Sequence, residues 1–320
     1  MTDYKARSRR SPAKAAAYWL LTRRPVNAIA VGMLGLMPDS NLRARIPVIG
    51  KSVSLLVGRH EPVVLTGIER CDLAREVYWG QGHLRGAADR LSLDLALKLS
   101  ADADLFLDIG AYTGVFALAA ARNNSKIAAY AYEIVPENFQ LLWANVIAND
   151  LVGRVVPRLH GVGAERGSVE VPASLGSGIL ASSVALDSEA RDGVTIPVSP
   201  LDELHAGFSG KAVAKIDVEG FEYSVLRGAE NFIGKTRPDI ICEVLRRAPN
   251  IPEMESFLGS YGYRIYHITE NGVQHASRIS PSRVERDWLF SPRAPSELDR
   301  LGVPMVLRST GEKATEKTVV

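Results

Sequence analysis

Cysteine is scarce in this chain of 320 residues. The two that are present, Cys71 and Cys242, lie far apart in the sequence and do not have the spacing of a metal site. Small secreted domains that depend on disulfides are dense in cysteine, and this chain is not. We therefore expect two reduced thiols in a cytoplasmic protein.

The chain also lacks a long hydrophobic run and a large excess of charge of either sign. The apolar stretch VNAIAVGMLGLM, at positions 26–37, is too short to span a bilayer as a helix. The formal net charge of +2 argues against a dedicated nucleic-acid-binding protein, whose binding face is strongly basic. With 46% hydrophobic residues, the chain has the composition of a globular protein with a full core.

Positive charge is concentrated in the first 24 residues. This segment contains seven lysines and arginines and one acid, Asp3, so its net charge is 7 − 1 = +6. Its basic region is too long for a signal peptide, and no small-x-small cleavage site follows. Residues 1–37 are therefore expected to be either a packing helix or a poorly ordered leader, or else a basic and apolar segment that contacts an anionic membrane or a partner.

From residue 104 onward, short apolar strands alternate with helices. DLFLDI at 104–109 has the pattern of a buried strand, and PENFQLLWANVIAND at 136–150 has that of a helix with proline near its start. FEYSVLRGAENFI at 221–233 predicts a single helix. Strands that alternate with helices imply an α/β fold, in which a mostly parallel, doubly wound sheet has helices on both faces.

Four acids occupy or adjoin the ends of predicted strands, namely Asp108, Glu133, Asp217 and Glu243. In open parallel sheets, ligands bind beyond the carboxyl ends of the strands, so these side chains are expected along one edge. Asp and Glu are rarely buried without partners, and packing alone does not explain four of them at strand ends. The edge is therefore a predicted ligand site.

The stretch DIGAYTG, at 108–114, connects the first of these strands to its helix. Glycines allow a sharp turn and a close approach to a ligand, and the following helix offers unpaired N–H groups. One enzyme class with this kind of sheet is the nicotinamide dehydrogenases. They carry Gly-x-Gly-x-x-Gly at this turn, and that motif is absent here. Asp108 would repel a pyrophosphate but suits S-adenosylmethionine, which has an ammonium and a sulfonium group.

Several segments, in this order, resemble the FkbM-type methyltransferases: DIGAYTG, AYEIVPENFQLLWANVIAND, SPLDEL, KIDVEGFEYSVLRGAENFI and RPDIICEV. The similarity covers roughly residues 104–291, and DVEGFE at 217–222 is its most specific part. It implies a class I, Rossmann-like methyltransferase fold with a seven-stranded sheet whose last strand is antiparallel. It also implies transfer of a methyl group to a hydroxyl oxygen, commonly of a sugar or a polyketide. Tyr112 departs from the family, which more often carries Asn there.

The resemblance also implies which residues bind S-adenosylmethionine. Asp108 and the turn residues Gly110, Ala111 and Gly114 are expected on the methionine and ribose side. Glu133, at the end of the second strand, is expected to accept hydrogen bonds from the ribose, as an acid in this place does in related nucleotide sites. His160, Gly161 and Val162 are expected near the adenine.

Methylation of an alcohol calls for a base, because an alcohol is a poor nucleophile. The carboxylates expected beside the transfer site are Asp217, Glu219 and Glu222. Glu222 also opens a helix, where an acid stabilises the helix start without any catalytic role. In a second mechanism, Asp217, Glu219 and Glu243 together hold a divalent cation, although we expect none. His160 is a less favoured base.

The predicted organisation is a basic extension over residues 1–80, a methyltransferase domain over 81–300 and a polar tail over 301–320. The expected acceptor is a small molecule, glycan or glycolipid, and no nucleic acid is expected. Ser182 and Ser183, in the loop 174–193, are either sugar contacts or simply turn residues. The basic extension favours a cytoplasmic protein with peripheral contact at the inner membrane face. The alternative function is a binding module with a degenerate methyltransferase fold, which predicts loss of Asp108, Gly110 or the Asp217 motif.

Overall fold

The computed structural model describes residues 20–21, 23–35, 48–50, 52–58, 60–172 and 193–306. Most of the basic leader, the loop with Ser182 and Ser183, and the end of the polar tail lie outside these ranges. None of the helices in the described ranges combines the length and the apolar character needed to cross a lipid bilayer.

The described part of the chain alternates between helices and strands. Its helices are α1 (Arg24–Gly35), α2 (Asp72–Trp79), α3 (Ala87–Ser100), α4 (Val115–Asn123), α5 (Pro136–Ala148), α6 (Leu201–Leu204), α7 (Glu222–Arg227), α8 (Glu230–Thr236), α9 (Ile251–Ser260) and α10 (Pro295–Arg300). Its strands are β1 (Ser52–Leu55), β2 (Val63–Thr66), β3 (Leu105–Ile109), β4 (Ala128–Glu133), β5 (Val155–Leu159), β6 (Gly161–Val162), β7 (Gly167–Pro172), β8 (Gly193–Ser199), β9 (Ala212–Ile216), β10 (Asp239–Glu243), β11 (Arg264–Thr269), β12 (Gly272–Ala276) and β13 (Asp287–Ser291).

The central sheet has eight strands in the order β5-β4-β3-β9-β10-β13-β11-β12. The strands from β5 to β10 are parallel, and β13 is antiparallel to both of its neighbours. This confirms the predicted mostly parallel sheet with an antiparallel last strand. The eighth strand, β12, was not predicted. It forms a hairpin with β11, and the Asn271–Gly272 dipeptide is a turn signal that marks it in the sequence.

Two hydrophobic cores cover the two faces of this sheet. On one face, Phe106 and Ile241 pack with Leu118 of α4. On the other face, Leu107 packs with Leu226 of α7 and Leu258 of α9. The sheet is therefore doubly wound, as the alternating pattern predicts.

The hairpin β1–β2 packs into the first of these cores. Leu55 and Leu65 of the hairpin belong to the same buried cluster as Leu118. The backbone of β2 is also hydrogen-bonded at α5. The N–H of Val64 donates to Oδ1 of Asn149, the C-cap of α5, at 2.8 Å, and the N–H of Thr66 donates to Oδ1 of Asn145 within α5, at 2.7 Å. The described residues between 48 and 79 thus share a core with the sheet, and the assignment of residues 1–80 to a basic N-terminal extension or accessory segment stays a prediction.

The single helix predicted over 221–233 is wrong, since two helices, α7 and α8, occupy this stretch. They are separated at Gly228, whose backbone lies against the backbone of Gly163. A Cβ atom on Gly228 would stand 1.9 Å from the carbonyl oxygen of Gly163. The break therefore comes from a long-range contact, which local helix propensity does not report.

We predict that Gly228→Ala destabilises the protein by about 1–3 kcal/mol, the usual cost of forcing an atom into a packed site. Gly228 has a φ of −77°, which alanine adopts freely, so the effect isolates packing from backbone strain. Urea unfolding measures it. Gly259→Ala in α9 is the control, because nothing lies within 4 Å of its added Cβ. Equal unfolding free energies for the two variants would contradict the packing explanation.

Candidate active site

A cavity of about 880 Å³ opens at the carboxyl ends of β3, β4, β9 and β10. Asp108, Glu133, Asp217 and Glu243 all line it. This confirms that the acids at the strand ends collect along one edge. They follow the strand order, so Glu133 and Glu243 stand at opposite ends, with Asp108 and Asp217 between them.

The glycine turn after β3 brings two stretches of backbone into contact. Gly110 has a φ of +81°, and a Cβ atom there would stand 1.8 Å from the carbonyl oxygen of Asp217. Its N–H and that of Ala111 both donate to the carbonyl oxygen of Tyr132, at 2.9 Å. Gly110 is therefore required for the turn to pass over the end of β9, and Gly110 and Ala111 both line the cavity.

Gly114, the other glycine of this turn, is set back from the cavity. It has a φ of +81° and begins helix α4 as its N-cap. A Cβ atom on it would stand 2.2 Å from Cδ1 of Leu142. Gly114 thus shapes the turn by close packing against α5 and is not among the cavity-lining residues, unlike the other residues expected to bind the cofactor.

Asp108 is only 2% exposed and holds the start of α4. Its Oδ2 accepts a hydrogen bond from the backbone N–H of Ala117, at 2.9 Å. This bond satisfies one of the unpaired N–H groups of the first helical turn. Burial nevertheless raises the pKa of Asp108 to about 7, because the ionised form has little solvation.

Glu133 holds the glycine turn from the other side. Its two carboxylate oxygens accept from the backbone N–H groups of Tyr112 and Val135, each at 2.7 Å. Burial raises the pKa of Glu133 to about 7 in spite of these bonds. Tyr112 has a φ of +51°, a left-handed conformation that Asn adopts more readily than Tyr. This gives a backbone reason for the more frequent Asn of the family at this position.

The predicted adenine side of the cavity is formed by the end of β5 and by β6. His160, Gly161 and Val162 all line the cavity there. The His160 Nε2 lies 3.1 Å from the Ser199 hydroxyl, and burial lowers the pKa of the imidazole. His160 is therefore neutral at neutral pH, and it stands on the β5 side of Glu133, away from the acids of β9 and β10.

The acids of β9 and β10 form a compact group with Glu219. One carboxylate oxygen from each of Asp217, Glu219 and Glu243 lies within 4.8 Å of the others. Burial, and next the charge of Asp217, raise the pKa of both Glu219 and Glu243. Glu219 also has a φ of +54°, a conformation that costs a side-chain-bearing residue about 1–2 kcal/mol. Such strain is typical of functional sites.

Glu222 does not join this group. Its Oε1 accepts from the backbone N–H of Gly220, at 2.8 Å, and the residue is 1% exposed. It is not among the residues that line the cavity. The structure thus favours the second interpretation of Glu222, in which it stabilises the turn and the start of α7, and it separates Glu222 from the other two predicted bases.

The sequence interpretation missed the two cations of the site, Lys215 and Arg286. Lys215 is 3% exposed, and its Nζ lies 3.3 Å from Asp217 and 3.6 Å from Asp287. Burial alone would lower the pKa of Lys215, but these carboxylates raise it well above its usual value. Arg286 Nε lies 3.3 Å from Glu243. The sequence signal that could have identified this network is the lysine inside the otherwise apolar strand AVAKI.

The strand order, with β13 antiparallel between β10 and β11, is that of the class I methyltransferase fold, and the acid-lined cavity lies at the strand ends where this fold binds its ligands. Residues 108–265 match the family model described as the methyltransferase FkbM domain. This match confirms the resemblance to the FkbM-type methyltransferases over these residues.

Solved structures give a more distant comparison. The chain is similar to the methyltransferase FkbM from Methylobacillus flagellatus KT, with 19% identity over 59% of this chain and a TM-score of 0.42. The alignment spans 44% of that protein's length. Against Aeropyrum pernix fibrillarin in complex with S-adenosyl-L-methionine, the identity is 11% over 59% of this chain and 66% of that chain, and the TM-score is 0.34. No curated protein sequence matches the chain.

The raised pKa of Asp108 predicts a specific pH dependence of stability. Between its usual pKa of 3.8 and about 7, the folded state binds more protons than the unfolded state, so stability falls as pH rises. Asp108→Asn removes the carboxyl group that binds this extra proton in the folded state. In urea unfolding without cofactor, we expect the variant to lose less stability than the wild type between pH 5 and 8, by on the order of 2 kcal/mol.

Asp102→Asn serves as the control for this prediction. A hydrogen bond from Lys211 lowers the pKa of Asp102, so this group titrates below the pH range of the comparison. Its substitution should leave the pH slope unchanged. Equal slopes for the wild type and Asp108→Asn would mean that Asp108 is not a buried, weakly solvated acid.

Proposed function

We propose that the chain transfers a methyl group from S-adenosylmethionine to a hydroxyl oxygen of a sugar or polyketide-type acceptor. The observation that carries this proposal is one continuous cavity with two acid-bearing parts. Asp108 and Glu133 serve the predicted cofactor side, and Asp217, Glu219 and Glu243 stand further along the same edge. The binding-module alternative predicts loss of this machinery, and Asp108, Gly110 and Asp217 are all retained.

The residues on the cofactor side fit S-adenosylmethionine chemically. Glu133 lines the cavity, and its carboxylate oxygens are of the acceptor type that binds ribose hydroxyls. Asp108 is buried with one hydrogen bond to its carboxylate and a raised pKa, so a nearby positive group stabilises its ionised form. When bound, the cofactor supplies an activated methyl group on its sulfonium.

The carboxylates of the second part are the proposed proton acceptors. A base works best when its pKa lies near the operating pH, and the raised pKa values of Glu219 and Glu243 move them toward neutrality. Asp217 is held by an ion pair with Lys215 at 3.3 Å, which fixes its position. We therefore propose that Glu219 or Glu243 takes the acceptor proton while Asp217 orients the hydroxyl.

We propose that this chemistry needs no divalent cation. The three clustered carboxylates have the hard oxygen ligands that magnesium prefers. Two of them are already neutralised by protein cations, Asp217 by Lys215 and Glu243 by Arg286, each at 3.3 Å. A metal ion in the middle of the group would be repelled by both of these cations.

The charge of the cavity favours one kind of acceptor. Ten Asp and Glu residues line it, against the two cations Lys215 and Arg286. A phosphate or carboxylate inside the cavity would meet this negative field, whereas a hydroxyl or an amino group would not. We therefore propose that the part of the acceptor inside the cavity is uncharged or cationic, and that no nucleic acid enters it. A cytoplasmic location fits the two free, buried thiols.

Methyl transfer from methyl-tritiated S-adenosylmethionine tests this proposal, with monosaccharides, a glycolipid and a polyketide alcohol as acceptors. We expect an alkali-stable product, because a methyl ether survives conditions that hydrolyse a methyl ester. Glu219→Gln and Glu243→Gln should identify the base through a rate loss of about 10²–10⁴-fold in one of them, with cofactor binding retained. Glu253→Gln, on the exposed face of α9, is the matched control. Label on a nitrogen or in an alkali-labile product would contradict the proposal.

A further inference from the structure

Helix α1 is docked on the protein through one of its faces. Leu34 is buried, Val31 packs against the core, and Asn27 makes two hydrogen bonds on this face. The Asn27 side-chain NH₂ donates to the carbonyl oxygen of Leu21, at 2.9 Å, and its Oδ1 accepts from the N–H of Ile49, at 3.1 Å. Positions 27, 31 and 34 follow helical spacing, so the orientation of α1 is defined.

The opposite face of α1 is exposed and entirely without polar side chains. Ile29 is 66% exposed and Met33 is 65% exposed, one turn apart on the same stripe. Pro25, Ala28 and Gly32 complete this face and are also exposed. A helix on the surface of a globular protein normally turns charged and polar residues outward. The outer face of α1, defined by these five residues, therefore has the composition of a contact surface.

The charge of the adjoining sequence points to what this face contacts. Residues 1–24 carry a net charge of 7 − 1 = +6, whereas the whole chain carries only +2, so the rest of the chain carries 2 − 6 = −4. The net excess of positive charge thus lies in the sequence that leads into α1, and residues 25–37 contain no charged side chain. An apolar helix face beside a basic segment is the combination that binds anionic lipid surfaces.

We propose that the outer face of α1 lies on an anionic lipid bilayer, with Ile29 and Met33 inserted below the headgroups. Twelve residues make a helix of about 18 Å, shorter than the hydrocarbon core of a bilayer of about 30 Å, so α1 lies along the surface. The net charge of +6 on residues 1–24 adds an electrostatic attraction to the anionic headgroups. Neither signal suffices alone, because stable attachment of this kind takes an apolar and an electrostatic part together. This proposal is independent of the methyl-transfer reaction.

Vesicle flotation of the full chain tests the proposal. The vesicles contain phosphatidylcholine alone or phosphatidylcholine mixed with phosphatidylglycerol. We expect the wild type to float with the mixed vesicles and not with the neutral ones, and to dissociate as salt is raised. The double substitution Ile29→Asp and Met33→Asp should lower the bound fraction by about tenfold or more, because it places charge on the inserted face.

Val284→Asp is the matched control, since Val284 is 84% exposed in the loop before β13 and should leave flotation unchanged. Urea unfolding and light scattering establish that the double variant is folded and has the wild-type mass. Failure of the wild type to float with mixed vesicles would overturn the proposal, as would equal flotation of wild type and double variant. A smaller mass for the double variant, without vesicle binding by the wild type, would assign the outer face of α1 to self-association instead.

Discussion

The burial of two acids beside the glycine turn is the constraint on which the site depends. Asp108 and Glu133 accept hydrogen bonds from Ala117, Tyr112 and Val135, so they fix the turn and the helices on both sides of it. Burial still disfavours their charge, as their raised pKa values record. The same side chains thus build the cavity, and in the proposed function they also bind the cofactor.

This constraint extends beyond the segment that matches the family. Asn145 of α5 accepts from the N–H of Thr66 in the hairpin and donates to the carbonyl oxygen of Thr113 in the glycine turn. The hairpin therefore supports the turn through a single side chain, in addition to sharing its core. Residues before the matched segment are thus hydrogen-bonded to the element that carries the glycine turn, while α1 presents a separate surface.

Much of the sheet and its acid edge was predictable from the sequence, because both depend on local patterns. Apolar runs that end in Asp108 or Glu133 predict buried strands whose carboxyl ends face a ligand site. The break at Gly228 was not predictable, since it arises from contact with Gly163, far away in the sequence. The role of Lys215 was hidden for the same reason. Its partner Asp287 lies on β13, far away in the sequence, and comes close to Lys215 only because β13 pairs antiparallel with β10.

Calorimetric titration with S-adenosylmethionine tests the central claim, that the buried acids receive this cofactor. The account predicts about micromolar binding by the wild type. Asp108→Asn should weaken it by about tenfold or more, the usual effect of losing one charge-assisted hydrogen bond. Asp102→Asn should bind like the wild type. A folded wild type that does not bind, or equal binding by Asp108→Asn, would contradict the account.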